Sequence, residues 1–204
     1  MKTEYTIGRG AHYSKGKKSQ PSLAALIPAL VGLALHFMHE VSIWYSLACY
    51  AVSAIMYAIA YRNSTFTLVK AVFDQTCIYE MEGPDKHDIN KLFGLYFGGP
   101  KNSARFGWNS NNGKIDIYAY VHNDGVIESK KLLDCIPNEP IDLTLKITPT
   151  NYEFTAAKRD GERARMKYAR KKAWNWFFIY RGYPYFGGNQ TAPHDMRLEA
   201  TYIE

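Results

Sequence analysis

Two stretches of the sequence carry side chains that could bind a ligand. In "SARFGW", Arg105 could hold a carboxylate or a phosphate through two parallel hydrogen bonds, and Trp108 offers an aromatic face. In "YPYFGGNQTAPHDM", aromatic residues meet paired glycines, which let a ligand approach the backbone. The residues predicted to bind a ligand in this second stretch are Tyr185, Phe186, Asn189, His194 and Asp195.

Neither stretch contains a recognisable catalytic group. His194 and Asp195 are adjacent, and neighbours on a strand point to opposite faces, so adjacency does not make them a dyad. A structural turn containing these two residues, and a cross-strand ion pair of Arg105, are the competing interpretations. The sequence has no nucleophile elbow and no phosphate-binding glycine loop. We therefore expect a protein that binds a ligand and is not an enzyme, without cofactor or metal.

The most charged stretch is "KRDGERARMKYARKK", at residues 158–172, with eight basic and two acidic residues. Its net charge equals the +6 of the whole chain. In a strand, one face would present Arg163, Arg165, Lys167 and Lys171. This predicts contact with a membrane surface or another anion, and an edge strand protected by its charges is the alternative. Nucleic acid is not an expected partner, because the aromatic residues lie on the opposite face.

The elements that carry these residues fall into three parts, and an apolar run separates the first from the third. Between Leu23 and Tyr61 the charged or imidazole side chains are His36, His39 and Glu40. A bilayer crossing needs about 20 apolar residues, so residues 22–38 and 41–61 predict a transmembrane helical hairpin. Lysines and arginines flank the run and are missing from its turn, which places both termini in the cytoplasm. A buried helical hairpin is the alternative.

From Thr65 onward, apolar and polar residues alternate with period two, and turn residues interrupt them every 8 to 12 residues or so. This pattern predicts an all-β sandwich, jelly-roll-like, with tight hairpins at "NNG", "NDG" and "RDG". Its predicted strands include "CIYEM", "KIDIYAYV" and "IDLTLKIT". The predicted domains are residues 1–20 as an N-terminal strand and basic linker, 21–62 as the transmembrane hairpin, and 63–204 as the β-sandwich.

Specific strings also indicate a family. The motifs "NKLFG", "NSARFGW" and "YFGGNQTAPHDM" resemble an uncharacterised β-sandwich family of Bacteroidetes-type genomes and their phages, similar to concanavalin-like jelly rolls. That family opens with a segment matched here by Tyr5, Ile7, Gly10, His12, Tyr13 and Ser14. The resemblance implies that residues 3–14 are the first strand and turn of the sandwich, with the hairpin inserted after them. A disordered basic tail is the alternative.

These features together predict a membrane-anchored β-sandwich that faces the cytoplasm and binds or interacts without catalysis. Its expected partners are the lipid bilayer and an unidentified small molecule or protein, with self-association through the transmembrane helices. One alternative is an antiphage effector whose two transmembrane helices are gated by a nucleotide. Another is a membrane-associated structural protein of a phage or virion. A carbohydrate-active enzyme is disfavoured.

Overall fold

The computed structural model describes residues 2–11, 14–15, 47–55, 65–97, 101–148, 150–171 and 179–202. The chain divides into two compact units, residues 1–17 with 64–204 and residues 18–63. Twelve strands are described in the larger unit: β1 (Lys2–Ile7), β2 (Ser14–Lys15), β3 (Thr65–Phe73), β4 (Asn90–Phe97), β5 (Ser103–Asn111), β6 (Lys114–Asn123), β7 (Val126–Cys135), β8 (Ile141–Ile147), β9 (Asn151–Lys158), β10 (Arg163–Ala169), β11 (Ile179–Gly182) and β12 (Met196–Tyr202).

These strands form two antiparallel sheets, which confirms the predicted β-sandwich. One sheet has seven strands in the order β10-β9-β8-β3-β12-β1-β2, and the other has five in the order β11-β4-β5-β6-β7. Two of the predicted tight hairpins join β5 to β6 and β6 to β7. Asn112 and Asp124 have φ of 50° and 57°, and a glycine with positive φ follows each. Two positive-φ residues in succession give the turn whose twist matches paired strands.

The core lies between the two sheets and is filled by alternate residues of each strand. On β8 the inward set is Ile141, Leu143, Leu145 and Ile147, all buried. Aromatic rings pair across the two sheets, with centroids 5.2 Å apart for Phe106 and Phe154 and 5.4 Å apart for Phe73 and Trp108. Such ring pairs stabilise a core beyond their buried area. The other face of each strand is thereby left to the surface, where a site can form.

The N-terminal segment belongs to the sandwich. Strand β1 pairs with β12 along its whole length, from Lys2 opposite Thr201 to Ile7 opposite Met196. Ile7 is fully buried. The carboxylate of Asp195 accepts a hydrogen bond of 2.8 Å from the backbone N–H of Arg9. The structure therefore agrees with the interpretation of this segment as the first strand and not as a basic tail.

The predicted transmembrane hairpin is contradicted. Among the described residues, no helix is long and apolar enough to cross a membrane. Of the predicted hairpin, the described part is a helix over residues 47–55. Residues 21–46 and 56–62 lie outside the described residues. Apolar composition alone does not establish a membrane-spanning helix, and the multi-pass membrane localisation is corrected together with the hairpin.

Candidate functional site

The candidate site lies on the outer face of the five-stranded sheet. Three cross-strand pairs define it: Tyr96 lies opposite Ser103, Ser103 opposite His122, and Arg105 opposite Tyr120. Side chains two residues apart on a strand point to the same face. The inward positions of β5 and β6 carry the apolar core, so these five polar residues share the outward face. The pairing register of β4, β5 and β6 therefore places these residues in one polar cluster.

A cleft of about 490 Å³ opens over this cluster. Its described lining contains three cationic side chains, four tyrosines and one histidine, without an aspartate or glutamate. Such a lining produces a positive potential that attracts an anion, and the tyrosine rings offer flat faces for packing. The residues that line it are Lys91, Tyr96, Ser103, Arg105, Tyr120, His122, Arg181, Gly182, Tyr183 and Tyr185.

Arg105 is the most deeply placed cation of the cleft, with 6% of its surface exposed. Its Nη1 donates a hydrogen bond to the hydroxyl of Tyr96, and its Cζ lies 4.8 Å from the centroid of that ring. Its Nε has no hydrogen-bond partner, and no ion pair to Arg105 is found within the described residues. Burial lowers the pKa of the guanidinium, against the effect of nearby tyrosines. A buried cation without a carboxylate is free to receive an anionic ligand.

Two glycines provide the space that Arg105 occupies. Gly182, Gly94 and Arg105 lie opposite one another across β11, β4 and β5. A Cβ on Gly94 would overlap the carbonyl oxygen of Ala104 and lie 2.5 Å from Cα of Arg105. A Cβ on Gly182 would lie 3.2 Å from the Arg105 Nε and 2.9 Å from the Tyr96 ring. Larger residues at either position would displace the arginine or its neighbours.

Lys91 stands beside this arginine. Its Nζ donates a hydrogen bond of 2.6 Å to the carbonyl of Ile89 and lies 4.4 Å from the centroid of the Tyr120 ring. Burial, followed by repulsion from Arg105, lowers the pKa of Lys91 to about 8, and Asp88 acts in the opposite direction. Lys91 is therefore mostly charged at neutral pH and loses its charge on mild alkalinisation.

Tyr120 and His122 form a pair that could transfer a proton. The tyrosine hydroxyl lies 3.3 Å from Nε2 of the histidine. Burial raises the pKa of Tyr120, while Arg105 acts to lower it. The phenol is therefore protonated at neutral pH and lies beside an imidazole nitrogen.

The structure brings together two of the seven residues that the sequence predicted to bind a ligand. Arg105 and Tyr185 both line the cleft. Trp108 is fully buried in the core on the other face of β5, and Phe186 is 2% exposed. The Phe186 ring lies against Tyr79, with centroids 5.3 Å apart.

The other three predicted residues lie in the loop that leads into β12. Asn189 is exposed there. Nε2 of His194 lies 2.8 Å from the carbonyl oxygen of Thr76, and Asp195 accepts from the backbone of Arg9. These contacts are those of the structural turn that was the alternative interpretation.

The basic strand predicted to contact an anion is β10, at the edge of the seven-stranded sheet. Its residues Arg163, Arg165 and Lys167 are exposed, and Lys171, beyond the end of the strand, is exposed too. Lys167 forms an ion pair of 3.2 Å with Glu153. This surface is on the other sheet from the cleft, and its role in anion or membrane-surface contact stays a prediction.

Sequence reasoning missed most of the cleft. Lys91, Tyr96, Tyr120 and His122 were not among the residues that the sequence predicted to bind a ligand. The signal was present in "KIDIYAYVH", where tyrosine and histidine alternate with small apolar residues. A site is indicated more directly by an outward strand face of large aromatic and basic residues than by a polar loop. Here that face lies next to strands that carry Gly94 and Gly182.

No protein-family model matches the chain, and no curated protein matches it. Among solved structures, the fold is similar to the alginate lyase from Klebsiella pneumoniae, with a TM-score of 0.53 and 8% identity over 68% of this chain and 60% of that one. The chain thus spans less than two thirds of the length of that enzyme. At this identity the likeness shows the fold alone.

Two further structures score lower. The PL-14 alginate lyase from Aplysia kurodai has a TM-score of 0.45 and 13% identity over 69% of both chains. The GH43 protein BlXynB from Bacillus licheniformis has a TM-score of 0.42 and 12% identity over 68% of this chain and 27% of that one. These two scores add nothing to the fold assignment.

The predicted function is corrected by these findings. A membrane-anchored interaction protein, a two-helix effector and a virion membrane protein all require a transmembrane helix, and none is found among the described residues. One solved structure with this fold is an alginate lyase, and at 8% identity that likeness shows the fold alone, so it does not bear out the prediction of a protein without catalysis. The cleft, which was not predicted, is the feature from which a function has to be argued.

Proposed function

We propose that the cleft binds an acidic saccharide and cleaves it by β-elimination beside a uronate carboxylate. One observation carries the proposal: a buried arginine with a free Nε stands in a cleft whose described lining has cations, phenols and an imidazole but no carboxylate. The fold shared with an alginate lyase supports it as an analogy, since one fold can carry many activities.

The composition of the cleft favours elimination over hydrolysis. Glycoside hydrolysis generally uses two carboxylates about 5 to 9.5 Å apart, and the described lining of this cleft contains none. In β-elimination a base removes the proton from C5 of the uronate, and that electron pair forms the C4=C5 double bond. The C4–O4 bond then breaks, and the leaving oxygen takes up a proton. This sequence balances without water, an oxidant or a cofactor.

The charge that develops during elimination is spread onto the uronate carboxylate, so a cation at that carboxylate stabilises the transition state. We assign this role to Arg105, with Lys91 next to it. Both are partly or wholly shielded from water, which strengthens their interaction with an anion.

The proton-transfer groups are assigned to Tyr120 and His122, because their polar atoms are 3.3 Å apart on the same face as Arg105. A neutral imidazole can accept a proton and the phenol can donate one. Tyr96, Tyr183 and Tyr185 line the same space, where their rings can pack against sugar faces.

The test is to incubate the protein with polymannuronate, polyguluronate, polyglucuronate and polygalacturonate and to follow the ultraviolet absorbance of the unsaturated uronate. We expect an absorbance increase with one of these polymers and none after its carboxyl groups are reduced to alcohols. His122→Ala and Arg105→Met should abolish the increase, whereas Arg165→Met, on the exposed edge strand, should leave it unchanged. Absence of cleavage for every acidic polymer would refute the elimination, and absence of calorimetric binding as well would refute the acidic-saccharide site.

A further inference from the structure

We infer that the cleft takes the acidic sugar at the reducing end of a saccharide chain, whose O4 carries the rest of the chain, and not a sugar in its middle. The inference rests on the proposed function and concerns the same cleft. Its basis is that the outer face of the sheet is blocked immediately past Lys91 and Tyr120. The substrate class is therefore chain ends and short acidic oligosaccharides.

The block is the side chain of Ile89. On β5 the next outward position after Arg105 is Gly107, which lies opposite Lys91 on β4 and Tyr118 on β6. A Cβ on Gly107 would overlap Cγ2 of Ile89. The Ile89 side chain thus lies directly on the sheet at the position where a groove would have to continue.

The polar and charged side chains beyond Ile89 are already paired with one another. The hydroxyl of Tyr118 lies 3.4 Å from Oδ1 of Asn109 and 3.5 Å from Oδ2 of Asp116, and Tyr118 does not line the cleft. Asp116 is 3% exposed and pairs with Lys131 at 2.7 Å. A saccharide that crossed Ile89 would meet a carboxylate already paired with its lysine, without an available cation among these contacts.

The Ile89 side chain forms the end wall of the cleft, and the residues next to this wall are fixed by hydrogen bonds. Lys91 and Tyr185 exchange two backbone hydrogen bonds of 2.9 Å each. The side-chain oxygen of Asn90 accepts from the backbone of Gly187 at 2.8 Å, and its nitrogen donates to the Tyr79 hydroxyl at 2.7 Å. Asn90 is fully buried. Buried, satisfied networks of this kind hold their geometry, so the wall is a permanent end of the cleft.

A sugar whose carboxylate reaches Arg105 therefore has Lys91 and Tyr120 beside it and Ile89 behind it. A further sugar on that side would have to occupy the volume of the Ile89 side chain. Recognition of an internal sugar along this direction requires space on both sides of Arg105, and the Ile89 side chain removes it on one.

The number of protein molecules bound per saccharide chain tests this directly. Oligouronates of increasing length and the parent polymer, of the type that the protein binds, are titrated by calorimetry with the His122→Ala variant, which keeps Arg105 and Lys91. We expect one protein per chain at every length, with an affinity that stops increasing after a few sugars. A stoichiometry that grows with chain length would overturn the inference while leaving the proposed function intact. Failure of every acidic saccharide to bind would overturn both.

The products of the wild-type protein give a second readout. Removal of terminal sugars should release one small unsaturated product from the first time point, with a slow loss of polymer viscosity. A ladder of oligosaccharides with a rapid loss of viscosity would contradict the inference.

The wall can also be opened. Ile89→Ala removes Cγ2, the atom that covers Gly107, and the stoichiometry should then increase with chain length. Ile136→Ala is the matched control, because Ile136 is 57% exposed and lies after β7; it should keep one protein per chain. If Ile89→Ala does not fold, as judged by thermal unfolding, the wild-type product pattern decides.

Discussion

We expect Arg105 to contribute to ligand binding and to lower the stability of the fold, and the Arg105→Met variant tests both effects. The guanidinium is 6% exposed and one of its nitrogens lacks a partner. A buried, unpaired donor costs about 1–3 kcal/mol, and a hydrogen bond from a charged group contributes about 1.5–3 kcal/mol. Methionine would remove the unpaired donor and the buried charge, and would lose the bond to Tyr96. Replacing buried charges with apolar residues is often neutral or stabilising.

The expected change in the free energy of unfolding therefore lies between zero and a gain of about 2 kcal/mol. For a domain of this size each kcal/mol corresponds to about 2–4 °C in Tm, so Tm should stay the same or rise by up to about 4–8 °C. Affinity for an acidic oligosaccharide should fall by about 10- to 150-fold, because one charge-assisted pair is lost. Thermal unfolding and calorimetry measure the two quantities on the same samples.

Arg170→Met is the matched control. Arg170 also has an Nε without a partner, its Nη1 donates to the carbonyl of Thr148 at 2.9 Å, and its Cζ lies 5.1 Å from the Phe97 ring centroid. Unlike Arg105 it is only half-buried, so removing its charge regains less desolvation energy. It should lose about 1–3 kcal/mol of stability with unchanged affinity. The reasoning is refuted if the free energy of unfolding of Arg105→Met falls by about 2 kcal/mol or more, as expected for the loss of a hydrogen bond from a charged group, while its affinity for acidic saccharides is unchanged.

Three further predictions follow from burial and charge. Lys91 loses its proton as pH rises through about 8, so affinity for acidic saccharides should fall between about pH 7 and pH 9. The Lys91→Met variant should lack this fall in affinity, and an identical pH profile for the variant would contradict the prediction. Ile7→Ala should cost about 2–5 kcal/mol in chemical denaturation, since Ile7 is fully buried in β1; a loss below 1 kcal/mol, well under that range, would argue against docking of the N-terminal strand. Burial raises the pKa of Cys77 and of Cys135 to about 12, so in a Cys49→Ser chain a thiol reagent at pH 8 should label both only after unfolding, and rapid labelling of the native chain would be inconsistent with the core.

Most strands could be predicted, because period-two alternation is a local signal. It predicted "KIDIYAYV" and "IDLTLKIT", which are β6 and β8. It failed at "CIYEM", residues 77–81, where no strand forms and a short 3₁₀ helix, Gln75–Cys77, ends at the first of these residues. There the side chain of Asp74 accepts a hydrogen bond from the backbone N–H of Thr76. A side chain that bonds its own backbone in this way competes with a strand, and alternation does not detect it.

The site was less predictable because it depends on register. Lys91, Arg105 and Tyr120 are separated along the chain by about 15 residues each, and their meeting depends on how β4, β5 and β6 pair. A slip of one residue would turn each side chain to the core. Arg105 was identifiable from its glycine and aromatic neighbours. His122 lies in an alternation with tyrosines that indicates an outward face, but nothing in its local sequence says which strand it faces.

The central claim is that the cleft holds a uronate carboxylate on Arg105. The most direct test is a calorimetric comparison of one acidic oligosaccharide with its carboxyl-reduced form, using the wild-type chain and Arg105→Met. The account predicts that the wild-type chain binds the acidic form at least about 10-fold more tightly, and that Arg105→Met loses this preference while remaining folded. Equal affinity of the wild-type chain for the two forms, or a preference that survives in Arg105→Met, would contradict it.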